Sequence, residues 1–114
     1  MKRGNFSFFM EVFSKLGGEK KMNKVFKYPV PVEDRFSLDL PQGARILTVQ
    51  EQNSKPQIWA IVNPENPTEI RNFRLAGAGH PIEENEKNLS YIGTFQLYNG
   101  NFIGHLFEIF EIKE

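Results

Sequence analysis

From Lys24 onward, short runs of β-branched and aromatic residues alternate with turn-forming residues at intervals of roughly 8 to 12 residues. In residues 36–40, apolar side chains alternate with polar ones, which predicts a strand with one buried and one solvent-exposed face. The whole pattern predicts seven strands, at about residues 24–28, 34–40, 44–51, 57–63, 69–76, 91–98 and 102–111. We therefore expect an all-β fold, a small antiparallel sandwich or barrel of about seven strands.

Two of these strands are apolar at nearly every position, residues 46–49 and residues 58–62. Such strands are either central in a sheet or also meet another layer or a subunit. We predict residues 58–62 at the centre of a sheet.

Asn99-Gly100 is the clearest turn in the sequence. Asn-Gly is the preferred pair for a type I′ hairpin turn, because both positions need a positive φ. The turn predicts a register in which Tyr98 faces Asn101, Gln96 faces Ile103, Thr94 faces His105, Phe95 covers Gly104 and Gly93 faces Leu106.

Aromatic residues make up 13% of the chain, and most of them are phenylalanines. The strand positions predict a core containing Phe26, Phe36, Phe73, Phe95, Phe102, Phe107 and Phe110. The polar ends of Tyr and Trp tolerate water, so Tyr28, Tyr91, Trp59 and Tyr98 are better placed at a surface or subunit interface. We choose Trp59 and Tyr98 as the interface residues.

A second pattern precedes the strands. Apolar residues recur at spacings of three and four, which predicts an N-terminal amphipathic helix with Phe6, Phe9, Met10, Phe13 and Leu16 on one face. It has three interpretations: attachment to a membrane surface or a partner groove, packing on its own domain, or translation of a ribosome-binding site upstream of a natural start at Met22. We divide the chain into an extension, residues 1–22, and one β domain, residues 23–114.

The length and the charge of the chain exclude several classes of binding partner. The 114 residues suffice for one domain, and the formal net charge of zero divides into +5 for residues 1–28 and −5 for the remainder. The acidic remainder argues against duplex DNA or RNA as a partner and against general single-strand binding. The chain has no cysteine and no apolar run of the roughly 20 residues that span a membrane, so we expect no membrane partner and a cytosolic location.

Residues 76–81, Ala-Gly-Ala-Gly-His-Pro, interrupt the strand pattern. Alternating glycines allow backbone N–H groups to line a concavity that holds phosphate or another anion. Arg71 and Arg74, on the preceding strand, would add guanidinium groups to such a site. The alternative is that the glycines serve a bulge or close packing and that His80 caps the loop.

The two histidines raise the question of catalysis or metal binding. Glu83 or Glu84 could partner His80, with His105 contributing from the last hairpin, but a zinc or iron site needs a third close ligand. The chain has no motif for nucleophilic or acid–base catalysis. We therefore expect no metal, no cofactor and no enzymatic activity.

Several local patterns occur together in a fixed order: KYP at 27–29, LPQGARIL at 40–47, WAIV at 59–62, FR at 73–74, GAGHP at 77–81 and YIGTFQ at 91–96. With these patterns, residues 24 to 110 resemble a family of small uncharacterised domains found chiefly in tailed bacteriophages and prophages. The resemblance implies a phage protein and gives no mechanism.

In that setting, the first expectation is a counter-defence protein of the host bacterial cytoplasm that sequesters a nucleotide-derived immune signal, such as a cyclic oligonucleotide, without turning it over. The expected ligand-binding residues are Arg71, Arg74, Gly77, Gly79, His80, Tyr91 and Thr94. One small β domain has little volume for such a ligand, so we expect a homo-oligomer with the pocket between subunits.

The alternative is a protein–protein module that inhibits or redirects a host factor through a sheet face or a strand edge. The third hypothesis is a structural role in the virion, and the fourth is enzymatic hydrolysis of the ligand.

Overall fold

A computed structural model describes residues 22–111 of the chain. The N-terminal helix predicted within residues 1–21 lies outside this range. The described residues form seven strands and one short 3₁₀ turn, Glu86–Asn88, and contain no α-helix. The strands are β1 (Lys24–Pro29), β2 (Arg35–Pro41), β3 (Arg45–Gln52), β4 (Lys55–Val62), β5 (Thr68–Gly77), β6 (Leu89–Leu97) and β7 (Phe102–Ile109).

The strands form two antiparallel sheets. Sheet 1 has the order β1-β4-β3 and sheet 2 has the order β2-β5-β7-β6. The two sheets meet along β3 and β6, where a Cβ atom added to Gly93 would lie 2.9 Å from Cγ1 of Val49. The predicted all-β fold of seven antiparallel strands is confirmed, and so is the central place of residues 58–62, which belong to β4.

The core lies between the inward faces of the two sheets. In β4, Pro56, Ile58, Ala60 and Val62 are buried and alternate with outward residues that are exposed or half-buried. The fully buried side chains with the largest volume are Phe73, Leu40, Ile58, Leu106 and Val62. This alternation is what the pleat of a half-buried strand dictates.

The predicted phenylalanine core is correct in part. Phe36, Phe73 and Phe95 are buried. Phe102 and Phe107 are half-buried. Phe26 and Phe110 are 40% and 48% exposed, so placing them in the core was wrong. Phe26 lies on the edge strand β1, and Phe110 follows the end of β7, so neither has a strand on both sides to cover it.

The hairpin register predicted from Asn99-Gly100 is confirmed at every pair from Gly93 and Leu106 to Gln96 and Ile103. Asn99 and Gly100 have φ angles of 56° and 84°, as a type I′ turn requires. Tyr98 also has a positive φ, 56°, and the ladder ends at the pair of Leu97 and Phe102. The loop therefore has four residues rather than two.

Candidate functional site

Arg71 and Arg74 point to opposite faces of sheet 2, because they stand three residues apart on one strand. Arg71 lies on the inward side, where its Nε donates to Oε2 of Glu108 at 2.5 Å and its Nη1 donates to the carbonyl of Ala44 at 2.9 Å. These bonds to Glu108, which is 6% exposed, raise the pKa of Arg71. The structure therefore does not bring the two arginines together in one site.

Arg74 is 4% exposed, and its guanidinium is occupied by the protein itself. It donates to the carbonyl of Pro81 at 3.0 Å, to that of Leu75 at 2.7 Å and to Oε1 of Glu84 at 3.0 Å. Pro81 and Glu84 belong to the loop between β5 and β6, residues 78–88, which we call the anchored loop. Arg74 therefore fixes this loop to sheet 2, and a ligand could reach it only by displacing these contacts.

A second arginine holds the same loop from the neighbouring strand. Arg35 donates to Oε2 of Glu84 and to Oε1 of Glu83, both at 2.6 Å. Burial alone would raise the pKa of Glu84, but hydrogen bonds from Arg35, from a backbone N–H and from Arg74 outweigh it and lower that pKa. Glu84 is consequently an ionised bridge between β2 and β5.

The glycines of the anchored loop and its approach serve packing and turning. A Cβ atom added to Gly77 would lie 2.9 Å from Nδ1 of His80, so the bare glycine makes room for the imidazole. Gly79 has a φ of +82°. The N–H groups of Ala78 and His80 donate to the carbonyls of Ile103 and Gly77, both at 3.0 Å. These two N–H groups therefore do not line the expected anion cradle.

Tyr91 and Thr94, by contrast, do come together on the outward side of sheet 2. The hydroxyl of Tyr91 lies 2.5 Å from Oγ1 of Thr94, which lies 2.9 Å from Nδ1 of His105. The Tyr91 ring packs against Phe107 with its centroid 5.6 Å away, yet Tyr91 is 60% exposed. We call Tyr91, Thr94 and His105 the polar cluster.

His105 was not among the predicted ligand-binding residues, although the predicted hairpin register already placed it opposite Thr94. The polar cluster offers an aromatic face, a hydroxyl and an imidazole to a bound molecule. In residues 22–111, no carboxylate hydrogen-bonds to His105. The cluster thus lacks the third group that orients the histidine of a catalytic triad.

The two predicted interface residues lie on different sheets. Trp59 is half-buried on the outward side of β4, and Nζ of Lys27 lies 5.9 Å from its ring centroid. Tyr98 is 68% exposed in the loop between β6 and β7, near Ser54 and Glu51 of the turn region that joins β3 to β4.

Metal sites and membrane-spanning helices are both absent from the part of the chain that the structure describes. No group of three or more His, Cys, Asp or Glu side chains in residues 22–111 could hold a metal ion. The same residues include no helix with the length and hydropathy needed to cross a membrane.

Comparison with known proteins places the chain in a family without a described activity. A family model described as "Domain of unknown function (DUF7352)" matches residues 22–113. No curated protein and no solved structure matches the chain. The matched region includes all seven strands and therefore both sheets.

Proposed function

The chain belongs to the family of the domain of unknown function DUF7352, and we propose that it is a non-catalytic binding protein for a small nucleotide-type ligand. The single observation that carries the proposal is the polar cluster. Two of its residues, Tyr91 and Thr94, are predicted ligand-binding residues, and they are in contact and exposed.

The chemistry of the cluster suits a nucleobase with its sugar. A base can stack on the exposed face of Tyr91, because aromatic rings stack on bases of any sequence. The hydroxyl of Thr94 and the free edge of the His105 ring can exchange hydrogen bonds with base or sugar atoms. Recognition by one aromatic ring and a few polar groups is usual for small-ligand sites.

The proposal also includes the cellular location and the biological role of the protein. On the resemblance to phage domains, the protein acts in the host bacterial cytoplasm as a counter-defence protein that sequesters a nucleotide-derived immune signal. The polar cluster covers only one side of a ligand, so a second copy of the chain would have to cover the other. The proposed binding unit is accordingly a homo-oligomer.

Calorimetry against cyclic dinucleotides and cyclic trinucleotides tests the proposal with the full chain. We expect Tyr91→Ala to weaken binding by about 5- to 150-fold, the usual effect of losing one base–aromatic stack. Val25→Ala removes an exposed apolar side chain on β1, away from the polar cluster, and should leave the affinity unchanged. Arg74→Ala is not a suitable probe, because the loss of its loop contacts would disturb the fold.

Two results would contradict the proposal: no heat of binding with any cyclic nucleotide at saturating concentration, or equal loss of affinity in Tyr91→Ala and Val25→Ala. The bound ligand should be recovered unchanged by mass spectrometry after prolonged incubation. A hydrolysed product would show that the protein is an enzyme.

A host protein is the alternative partner. Because β3 and β6 lie against each other, β1 and β2 are the sheet edges of residues 22–111 that no strand of the other sheet flanks, and an extended segment of a partner could add to either one. Capture of one stoichiometric host protein, lost in Trp59→Ala or Tyr98→Ala, would favour this alternative.

A further inference from the structure

Cationic side chains are distributed unequally between the two sheets. Arg35, Arg71 and Arg74, all on sheet 2, form ion pairs with carboxylates. The cations of sheet 1 differ, because none of them lies within ion-pair distance of a carboxylate of residues 22–111. Sheet 1 thus carries positive charge that the described fold does not neutralise.

Three of these cations share one face. In β4, the burial of Ile58, Ala60 and Val62 turns Lys55, Gln57 and Trp59 away from the core. The strand register places Lys27 opposite Trp59, and Arg45 opposite Ile61 on the same side. We call this side the outer face of sheet 1. Its residues include Lys27, Arg45, Gln50, Lys55, Gln57 and Trp59.

The outer face has no carboxylate of its own. Neither β1 nor β4 contains Asp or Glu. The one acidic residue of β3, Glu51, lies opposite Pro56, which is buried on the inward side. The carboxylates of residues 22–111 therefore lie outside the strand positions that form this face.

Trp59 lies at the centre of the outer face, on the central strand. Nζ of Lys27 lies 5.9 Å from its ring centroid and donates a hydrogen bond to Gln52. A base that stacks on Trp59 would take the place of the Lys27 ammonium over the ring, and the displaced ammonium can then contact the neighbouring phosphate. The paired amides of Gln50 and Gln57 add donors and acceptors for base edges.

We propose that the outer face of sheet 1 binds single-stranded nucleic acid. Lys27, Arg45 and Lys55 would contact phosphates, and Trp59 would stack on an unpaired base. Arg45 lies opposite Ile61, six residues along β4 from Lys55, so the cations span about 20 Å of the strand. This inference uses a different sheet from the polar cluster and does not depend on the proposed nucleotide site.

Two other roles suit the outer face less well than binding of single-stranded nucleic acid. They are protection of a sheet edge and binding of an acidic protein. Lysines often protect a free sheet edge from aggregation, and this would account for Lys27 on β1, but Lys55 lies on the central strand. The cores of protein–protein interfaces are depleted in lysine, whereas Lys27 and Lys55 share this face with Trp59. An acidic protein is therefore the less suitable partner.

The test uses the full chain and fluorescein-labelled oligo-dT and oligo-U of about 12 nucleotides, a length within the range bound by small β domains. Trp59 is the one tryptophan of the sequence, so a base stacked on it should quench the intrinsic fluorescence. In anisotropy titrations, we expect Trp59→Ala to weaken binding by about 5- to 150-fold. A double-stranded oligonucleotide of the same length should bind more weakly than the single-stranded one.

A second variant tests the cations. The triple variant Lys27→Gln/Arg45→Gln/Lys55→Gln should reduce the slope of log K against log salt by about 2, because each phosphate contact contributes about 0.7 with single strands. Lys87→Gln, an exposed lysine outside sheet 1, is the matched control and should change neither affinity nor slope. Thermal unfolding of each variant establishes that it is folded.

The extension at residues 1–21 carries five basic residues and could also attract nucleic acid. Binding that leaves Trp59 fluorescence unchanged, or that survives in the triple variant, would assign the activity to that extension and overturn the proposal. If inorganic polyphosphate binds with the same affinity as the oligonucleotides, charge attraction alone explains the binding. That result would also overturn the proposal. If neither oligonucleotide binds at low salt, the proposal for the outer face is also overturned. The proposed nucleotide site at the polar cluster would not be contradicted by that result.

Discussion

Gly104 allows three core side chains to meet over one strand. A Cβ atom added there would lie 2.9 Å from Cδ1 of Leu75, 2.9 Å from Cζ of Phe95 and 3.0 Å from Cε2 of Phe102. Phe95 covers Gly104 in the register that the Asn-Gly turn predicts. Since Leu75 and Phe95 are buried, neither can move aside without disturbing its own packing.

Gly104→Ala should therefore lower the free energy of unfolding by about 1 to 3 kcal/mol, the cost of overpacking a close-packed core. The exposed Ser90 of the adjacent strand provides a control, because Ser90→Ala should change stability by less than about 0.5 kcal/mol. Urea denaturation measures both variants. An unchanged midpoint in Gly104→Ala would show that the core has more room than these distances indicate.

At the scale of elements, the anchored loop depends on one carboxylate. Glu84 accepts hydrogen bonds from Arg35 on β2 and Arg74 on β5, and its side chain is 15% exposed. Its pKa is lowered below the ordinary value of 4.5, so folding favours the ionised form. The stabilisation is fully present above about pH 4.5 and is lost as the pH falls through the lower folded-state pKa.

Glu84→Gln should consequently cost about 1 to 3 kcal/mol at pH 7, and the difference from the natural protein should shrink as the pH falls below 4.5. Denaturation curves at several pH values measure this difference. Glu83→Gln is the matched control, since the Glu83 side chain is 75% exposed and its ion pair is screened by water. A cost in Glu84→Gln that does not vary with pH would contradict the proposed role.

For the whole molecule, the ion pair of Arg71 and Glu108 connects parts that are distant in sequence. Arg71 on β5 bonds both carboxylate oxygens of Glu108 on β7 and the carbonyl of Ala44, just before β3. The two side chains are 16% and 8% exposed. Removing one partner therefore leaves the other charge poorly solvated.

A double-mutant cycle tests this connection. Glu108→Met should destabilise the fold by about 3 to 5 kcal/mol, and Arg71→Met/Glu108→Met should cost less than the sum of the single variants, because the double variant leaves no unpaired charge. Additive costs in chemical denaturation would show that the two side chains act independently.

Much of the fold was predictable from local patterns. The alternation in β2, the apolar run of β4 and the Asn99-Gly100 turn each act over a few residues, and their strands and register are confirmed. The turn between β3 and β4 has no glycine that would predict it, although Asn53 and Ser54 adopt φ angles of 54° and 66°. Phe26 was misplaced because the alternation does not reveal which strand lies at an edge.

The sequence by itself determined the strands, the hairpin register and the glycine that Phe95 covers, since each depends on neighbours along the chain or across one turn. Only the tertiary structure decided what the charged residues do. Strand pairing distant in sequence placed Arg71 against Glu108 and buried Arg74 under the anchored loop. The same pairing left Lys27, Arg45 and Lys55 together on a face without carboxylates, which a net charge summed over the chain conceals.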